Sequence, residues 1–183
     1  MQELKDTQSE ADTRNISIDR VGVKGLRFPI QIQDKLNRIQ STVATVSLAV
    51  DLPEEFKGTH MSRFVEALHQ HGPLLDVHTA LAIPRELLRR LSARRSHVEM
   101  EFPFFRSKNA PVTGIEGLMD YVVRFEMEAE ANNKLADFKL TVIVPVTTLC
   151  PCSKAMSAYG AHNQRGLVTS VSYTHLTLPT ILR

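Results

Sequence analysis

The residues best suited to chemistry lie in the segment TTLCPCSKAMSAYGAHNQR (Thr147–Arg165). Cys150 and Cys152 flank Pro151, and His162 follows Cys152 by ten residues. Zinc readily takes thiolate and imidazole ligands, and a catalytic zinc has three protein ligands and one open position. Cys150 and His162 are therefore candidate ligands of a divalent metal. Cys152 is a weaker third candidate, because ligands two residues apart are tightly constrained.

Two other interpretations of this segment remain open. The cysteines could be small core residues at the end of a strand, with His162 in a loop. Alternatively, Cys150 and His162 could act as a nucleophile and its base, without any metal.

A second segment, KGTHMSRF (Lys57–Phe64), places Thr59, His60 and Arg63 at the start of a helix. The free backbone N–H groups and partial positive charge of such a start suit an anion such as phosphate. The alternative is that Thr59 only caps the helix and that the charges are solvated. Four further histidines form no metal-ligand pattern: His69, His71, His78 and His97.

Composition limits the class of protein. The chain has 183 residues, of which 43% are hydrophobic, so it has enough apolar material for a folded core. Its 22 Lys+Arg and 20 Asp+Glu give a net charge of +2, which argues against a nucleic-acid partner. No apolar run is long enough for a membrane span or resembles a signal peptide, so we expect a cytoplasmic protein whose two cysteines are thiols.

Period-two alternation of apolar residues predicts five strands: Leu26–Gln33, Thr42–Leu52, His97–Phe105, Tyr121–Glu130 and Phe138–Val146. The polar residues Asp34–Gln40 are expected to connect the first two strands, and Asn132–Asn133 is expected to form a turn.

Helical spacing marks the region between the second and third strands. Met61, Phe64, Val65 and Leu68 share one face of a helix, with Thr59 as its N-cap and Gly72 as its stop. A second helix is expected to begin at about Pro84, because proline suits a first helical turn. Its inward residues would be Leu87, Leu88 and Leu91, and its outward residues Arg89, Arg90 and Arg94.

The order strand, strand, helix, helix, strand, strand favours an α+β fold, in which two helices cover one face of an antiparallel sheet. Phe138 begins a further set of strands, for which no matching helices follow.

Several segments resemble the prokaryotic GTP cyclohydrolases of type IB: DTQSEADTRNISIDRVGVKGLRFPI, GTHMSRF, APVTGIEGLMDY and VTTLCPCSKAMSAYGAHNQR. The resemblance implies the tunnelling fold, built from two modules and assembled as a homotetramer. We therefore expect a flexible arm (1–15), a first module (16–133), the start of a second module with the Cys/His segment (134–170) and a non-native tail (171–183).

The resemblance also implies an activity. Family members convert GTP and water to 7,8-dihydroneopterin triphosphate and formate, the first step towards tetrahydrofolate or queuosine-type nucleosides. By resemblance, Cys150 is the catalytically important metal ligand and His162 the second ligand. The metal would be zinc, manganese or another divalent ion, and it would activate water to attack C8 of guanine. Thr59, His60 and Arg63 are expected to help hold the triphosphate.

The chain also departs from the family pattern. The family's other metal ligands, a glutamate and a second histidine, lie in a C-terminal half that nothing here matches. VSYTHLTLPT (Val171–Thr180) resembles the translated read-through of a sequencing adaptor, although a genuine strand is the alternative. These departures predict a truncated chain that is inactive alone. The second functional interpretation is a non-catalytic tunnelling-fold module that binds a purine or pterin, or only assembles.

Overall fold

A seven-stranded sheet is the framework of the molecule. The computed structural model describes residues 16–33, 38–132 and 137–174. Within these ranges the elements are β1 (Ile18–Gln33), β2 (Ile39–Leu52), α1 (Met61–Gln70), β3 (Leu74–Leu75), α2 (Val77–Leu91), β4 (Arg95–Asn109), β5 (Glu116–Glu130), β6 (Asp137–Leu149), α3 (Pro151–Met156) and β7 (Asn163–Thr174). The strand order is β3-β1-β2-β4-β5-β6-β7. All neighbouring strands are antiparallel except β1 and β3, which confirms the α+β class.

The core lies between the sheet and the helices α1 and α2. Strand residues facing the helices are buried, among them Ile30, Val46 and Val98, and Phe64 and Leu87 meet them from the helices. This alternation is the one predicted from the sequence. On the opposite face Arg124 of β5 forms ion pairs with two carboxylates of β4, Glu99 at 3.4 Å and Glu101 at 2.5 Å.

The first two strands are longer than predicted. β1 begins at Ile18 rather than Leu26, and its first half pairs with the end of β2 through register shifts on either side of Val21–Val23. These bulges break the alternation on which the prediction relied. Residues 34–37 of the expected connection lie outside the described residues, while Ile39 and Gln40 belong to β2.

The predicted start of the second helix is wrong. α2 begins at Val77, and Pro84 lies within it. A capping box fixes the true start: Asp76 Oδ1 accepts from Thr79 N–H at 2.7 Å, and Thr79 Oγ1 accepts from Asp76 N–H at 2.8 Å. Pro84 costs the helix one ladder hydrogen bond, but its own carbonyl accepts from the buried Ser96 hydroxyl at 2.8 Å.

The faces predicted for α2 are largely confirmed. Leu87 is buried, Leu88 and Leu91 are half-buried, and Arg89 is exposed. Arg90 differs from the prediction, because its side chain is only 23% exposed and contacts Glu66 and Gln70 of α1. Arg90 therefore joins the two helices.

The other predicted strands are confirmed as β4, β5 and β6, each somewhat longer than expected. Asn132 lies in a turn, whereas Asn133, the arm at 1–15 and residues 175–183 fall outside the described residues. β6 continues the same sheet by pairing with β5. The division into modules at residue 133 remains a prediction. Within the described ranges, none of the helices combines the length and apolar character that a bilayer crossing requires.

Candidate functional site

The pairing of β6 with β7 brings Cys150 and His162 to the base of one loop. The ladder ends at the pair Leu149 and Asn163, and the next residues on the two strands are Cys150 and His162. The Cys150 N–H donates to the His162 carbonyl at 3.3 Å, so the backbone of the two residues is joined directly. The structure thus brings together the two predicted ligands.

The intervening loop begins with a short helix. Cys150 occupies the N-cap position of α3 and Pro151 follows at its first position. Cys150 is half-buried, whereas Cys152 and His162 are exposed. No residue of α3 is buried, so the loop is held by its ends rather than by a core of its own.

The two donors fit a thiophilic divalent ion such as zinc, which binds sulfur and nitrogen. Within the described residues, no group of three or more His, Cys, Asp or Glu side chains is placed to hold a metal. This part of the chain therefore offers at most an incomplete ligand set.

Lys154 lies one helical turn beyond Cys150, and its backbone N–H donates to the Cys150 carbonyl at 3.0 Å. Its side chain is exposed. The spacing of candidate metal ligands in the sequence does not identify Lys154. The sequence feature that could have identified it is the lack of Asp and Glu after Asp137.

The second predicted segment is placed differently from the expectation. The N-cap residue of α1 is His60, not Thr59, and no side chain makes a capping hydrogen bond there. Arg63 Nη1 donates to the carbonyl of Arg90 at 3.0 Å, which ties the first turn of α1 to the last turn of α2. At least part of this guanidinium is therefore used within the fold.

The two predicted segments also lie far apart in the sheet order. α1 contacts α2 and β1, whereas Cys150 follows β6, four strands further along the sheet. At about 4.8 Å per strand, this places roughly 19 Å between β1 and β6. One copy of the chain does not bring Thr59, His60 and Arg63 to the loop of Cys150 and His162.

The remaining histidines have other surroundings. His97 Nδ1 lies 2.8 Å from Glu128 Oε1, and the ring of His69 meets Phe28 edge-on at 5.2 Å between centroids. His71 Nε2 is buried without a hydrogen-bond partner in the described structure. His78 is exposed in the first turn of α2.

Two cavities of about 70 and 150 Å³ lie along β1, β2, β4 and β5, and neither is lined by Cys150 or His162. Both are smaller than the roughly 300–1,000 Å³ typical of ligand pockets. The loop of Cys150 and His162 belongs to neither of these two cavities, and the His162 side chain is exposed.

Comparison with known proteins gives the family. Residues 4–178 match the family described as "Type I GTP cyclohydrolase folE2". This match covers most of Val171–Thr180 and gives no support to its interpretation as a non-native tail. The first four residues of this segment, 171–174, belong to strand β7.

Named relatives agree with the family match. The chain is 48% identical over 166 residues to GTP cyclohydrolase FolE2 of an Azoarcus species, which covers 91% of this chain and 61% of that protein. It is 51% identical over 162 residues to GTP cyclohydrolase FolE2 of Fervidobacterium nodosum, which covers 88% of this chain and 61% of that protein. The chain thus spans about three fifths of the length of these relatives. It belongs to the type I GTP cyclohydrolase FolE2 family.

Proposed function

We propose that this chain supplies part of the active site of a GTP cyclohydrolase, which hydrolyses GTP to 7,8-dihydroneopterin triphosphate and formate. The observation that carries the proposal is the hydrogen bond of 3.3 Å between Cys150 N–H and the His162 carbonyl. It places a thiol and an imidazole at the two ends of one loop. The names of the relatives, GTP cyclohydrolase FolE2, agree with this chemistry.

In this proposal Cys150 and His162 hold a divalent ion, zinc or manganese. When bound, such an ion lowers the pKa of a coordinated water towards neutrality and supplies a hydrolytic nucleophile. The side chains act by position: the β6–β7 ladder fixes Leu149 and Asn163, and these fix the adjacent Cys150 and His162. A bound ion would be held by the thiolate form of Cys150.

The proposed site needs further ligands, since a catalytic zinc has three from the protein. By the family resemblance these would be a glutamate and a second histidine, in addition to Cys150 and His162. The proposal also includes a homotetramer in the cytoplasm, with Thr59, His60 and Arg63 near the triphosphate. Within one copy of the chain these three residues lie far from Cys150. If both groups contact the same substrate, the second group must come from another copy of the chain.

A chimera tests the proposed activity. The part of this chain that aligns with the Azoarcus protein would be joined to the part of that protein that follows its aligned region. We expect the zinc-loaded chimera to release formate from GTP, and Cys150→Ala and His162→Ala each to reduce turnover by more than the roughly 10- to 100-fold that loss of an outer-shell partner of a metal costs. The matched control is Cys152→Ala, which removes an exposed thiol that the proposal does not require.

Metal content separates this function from the alternatives. A chelator should abolish turnover, and Cys150→Ala should lower the bound zinc per chain. A purine-binding or assembly module would bind its ligand equally well after Cys150→Ala. Turnover that survives the chelator but not Cys150→Ala would indicate a metal-free cysteine nucleophile. Near-normal turnover in either ligand variant would contradict the proposed site.

A further inference from the structure

The distribution of charge along the chain is strongly uneven. All 20 acidic residues lie within residues 1–137, and residues 138–183 contain no Asp or Glu. The described part of this acid-free segment forms β6, the Cys150–His162 loop and β7. It carries three cationic side chains, Lys139, Lys154 and Arg165.

These three cations have different surroundings. Lys139 Nζ lies 2.7 Å from Glu126 Oε2, so its charge is balanced by the neighbouring strand β5. Lys154 and Arg165 are exposed and have no ion-pair partner among the described residues. By contrast, Arg89, Arg90 and Arg124 each pair with a carboxylate.

Of the two unbalanced cations, Lys154 is closer to the proposed metal ligands along the backbone. Its N–H donates to the Cys150 carbonyl at 3.0 Å, and Cys150 N–H in turn donates to the His162 carbonyl. Arg165 instead pairs with Thr147, two ladder positions before the end of the strands.

We infer that Lys154 binds the phosphate groups of the nucleotide, a substrate assignment that rests on the proposed function. A lysine ammonium is a flexible point charge with three donors, which suits a triphosphate chain. Because residues 138–183 contain no Asp or Glu, this charge has no carboxylate side chain to pair with inside its own segment. The phosphate groups of the nucleotide would neutralise the charge of Lys154, while the base of the nucleotide reaches the loop between Cys150 and His162.

Direct binding to the 183-residue chain tests this inference without requiring turnover. The probe is a fluorescent GTP derivative labelled on the ribose, followed by anisotropy and competed by inorganic tripolyphosphate or by guanosine. We expect tripolyphosphate to compete, and Lys154→Met to weaken probe binding about 10- to 100-fold, the range for a hydrogen bond to a charged group. Lys154→Arg should restore most of the affinity, because it keeps the charge.

The matched control is Lys24→Met, an equal loss of charge at an exposed lysine of β1. It should leave probe affinity within about twofold of the parent. Because α3 buries none of its residues, Lys154→Met is not expected to disturb folding, which circular dichroism checks.

Four outcomes overturn the inference: no binding of the probe to the parent chain, no competition by tripolyphosphate, equal affinity in the parent and Lys154→Met, or equal losses in Lys154→Met and Lys24→Met. Failure of the proposed function is a separate result. It would appear as absent formate release by the chimera while phosphate binding still depends on Lys154.

Discussion

Glu86 is the residue through which charge most directly stabilises the helical layer. Its carboxylate accepts from Arg89 Nη2 at 2.6 Å and from Arg90 Nε at 2.5 Å, and its side chain is only 10% exposed. The hydrogen bond from Arg89, reinforced by Arg90 and opposed by burial, lowers the pKa of Glu86 from 4.5 to about 2. Because Arg90 also contacts Glu66 of α1, this carboxylate supports the contact between α1 and α2.

We therefore expect Glu86→Gln to lower stability at neutral pH by about 1 kcal/mol, or about 2–4 °C in Tm. A lowered folded-state pKa means that ionised Glu86 stabilises the fold fully above about pH 4.5. That contribution is lost as the pH falls towards 2. Thermal unfolding of both proteins between pH 7 and pH 2 should show the difference shrinking below pH 4.5. A difference independent of pH would contradict the assignment, and Glu54→Gln, at an exposed carboxylate outside this network, is the control.

At the residue scale, spacing alone could select Cys150 and His162 but could not show that they are adjacent. His162 follows Cys152 by ten positions in the sequence, and only the β6–β7 register closes that interval. The role of Arg63 was also beyond the sequence, because its hydrogen-bond acceptor, the Arg90 carbonyl, lies 27 residues away.

At the scale of elements, α2 shows why helix boundaries are difficult to predict. Proline is favoured in a first turn, and this preference pointed to Pro84. The stronger local signal was Asp76 with Thr79, which form a reciprocal capping box seven residues earlier than the expected boundary. The apolar pattern around Leu87 was interpreted correctly because packing against the sheet, not the boundary, determines it.

Removal of the capping box should destabilise α2 without affecting the β6–β7 loop. We expect Asp76→Ala to cost about 0.5–2 kcal/mol in the free energy of unfolding, because it leaves the Thr79 N–H without its side-chain acceptor. Urea denaturation measures this loss. Asp76→Asn keeps a side-chain oxygen and should recover most of it; an equal loss in both variants would show that the cap is not the cause.

At the scale of the whole molecule, the helices and strands are unevenly distributed. The long helices α1 and α2 contact strands β1 to β5, β6 joins the core through Phe138, and none of the described residues of β7 belongs to the core. Apolar side chains are consequently exposed on β7: Leu167, Val168, Val171 and Tyr173. The α+β class and most strands could be predicted from the alternation of apolar and polar residues. The exposure of β7 could not be predicted in this way, because alternation does not show which strands a helix covers.

Within the described ranges, the outer edge of β7 has no strand partner. An apolar edge of this kind promotes association between chains, and lysine is a residue that natural edge strands use against it. We expect Val171→Lys to reduce self-association of the purified chain, measured by light scattering at increasing concentration. Val112→Lys makes the same chemical change in the loop between β4 and β5, where the side chain is 95% exposed. If both variants behave alike, net charge rather than the β7 edge controls association.

The strand order also has a consequence for how fast the sheet forms. Four of its six pairings, β1–β2, β4–β5, β5–β6 and β6–β7, join strands that follow one another along the chain. The β2–β4 pairing instead spans both long helices, with Val50 opposite Ser96. Closing that interval costs more chain entropy than forming any of the four hairpins. We therefore expect the two halves of the sheet to form early and their junction at β2 and β4 to limit the rate of folding.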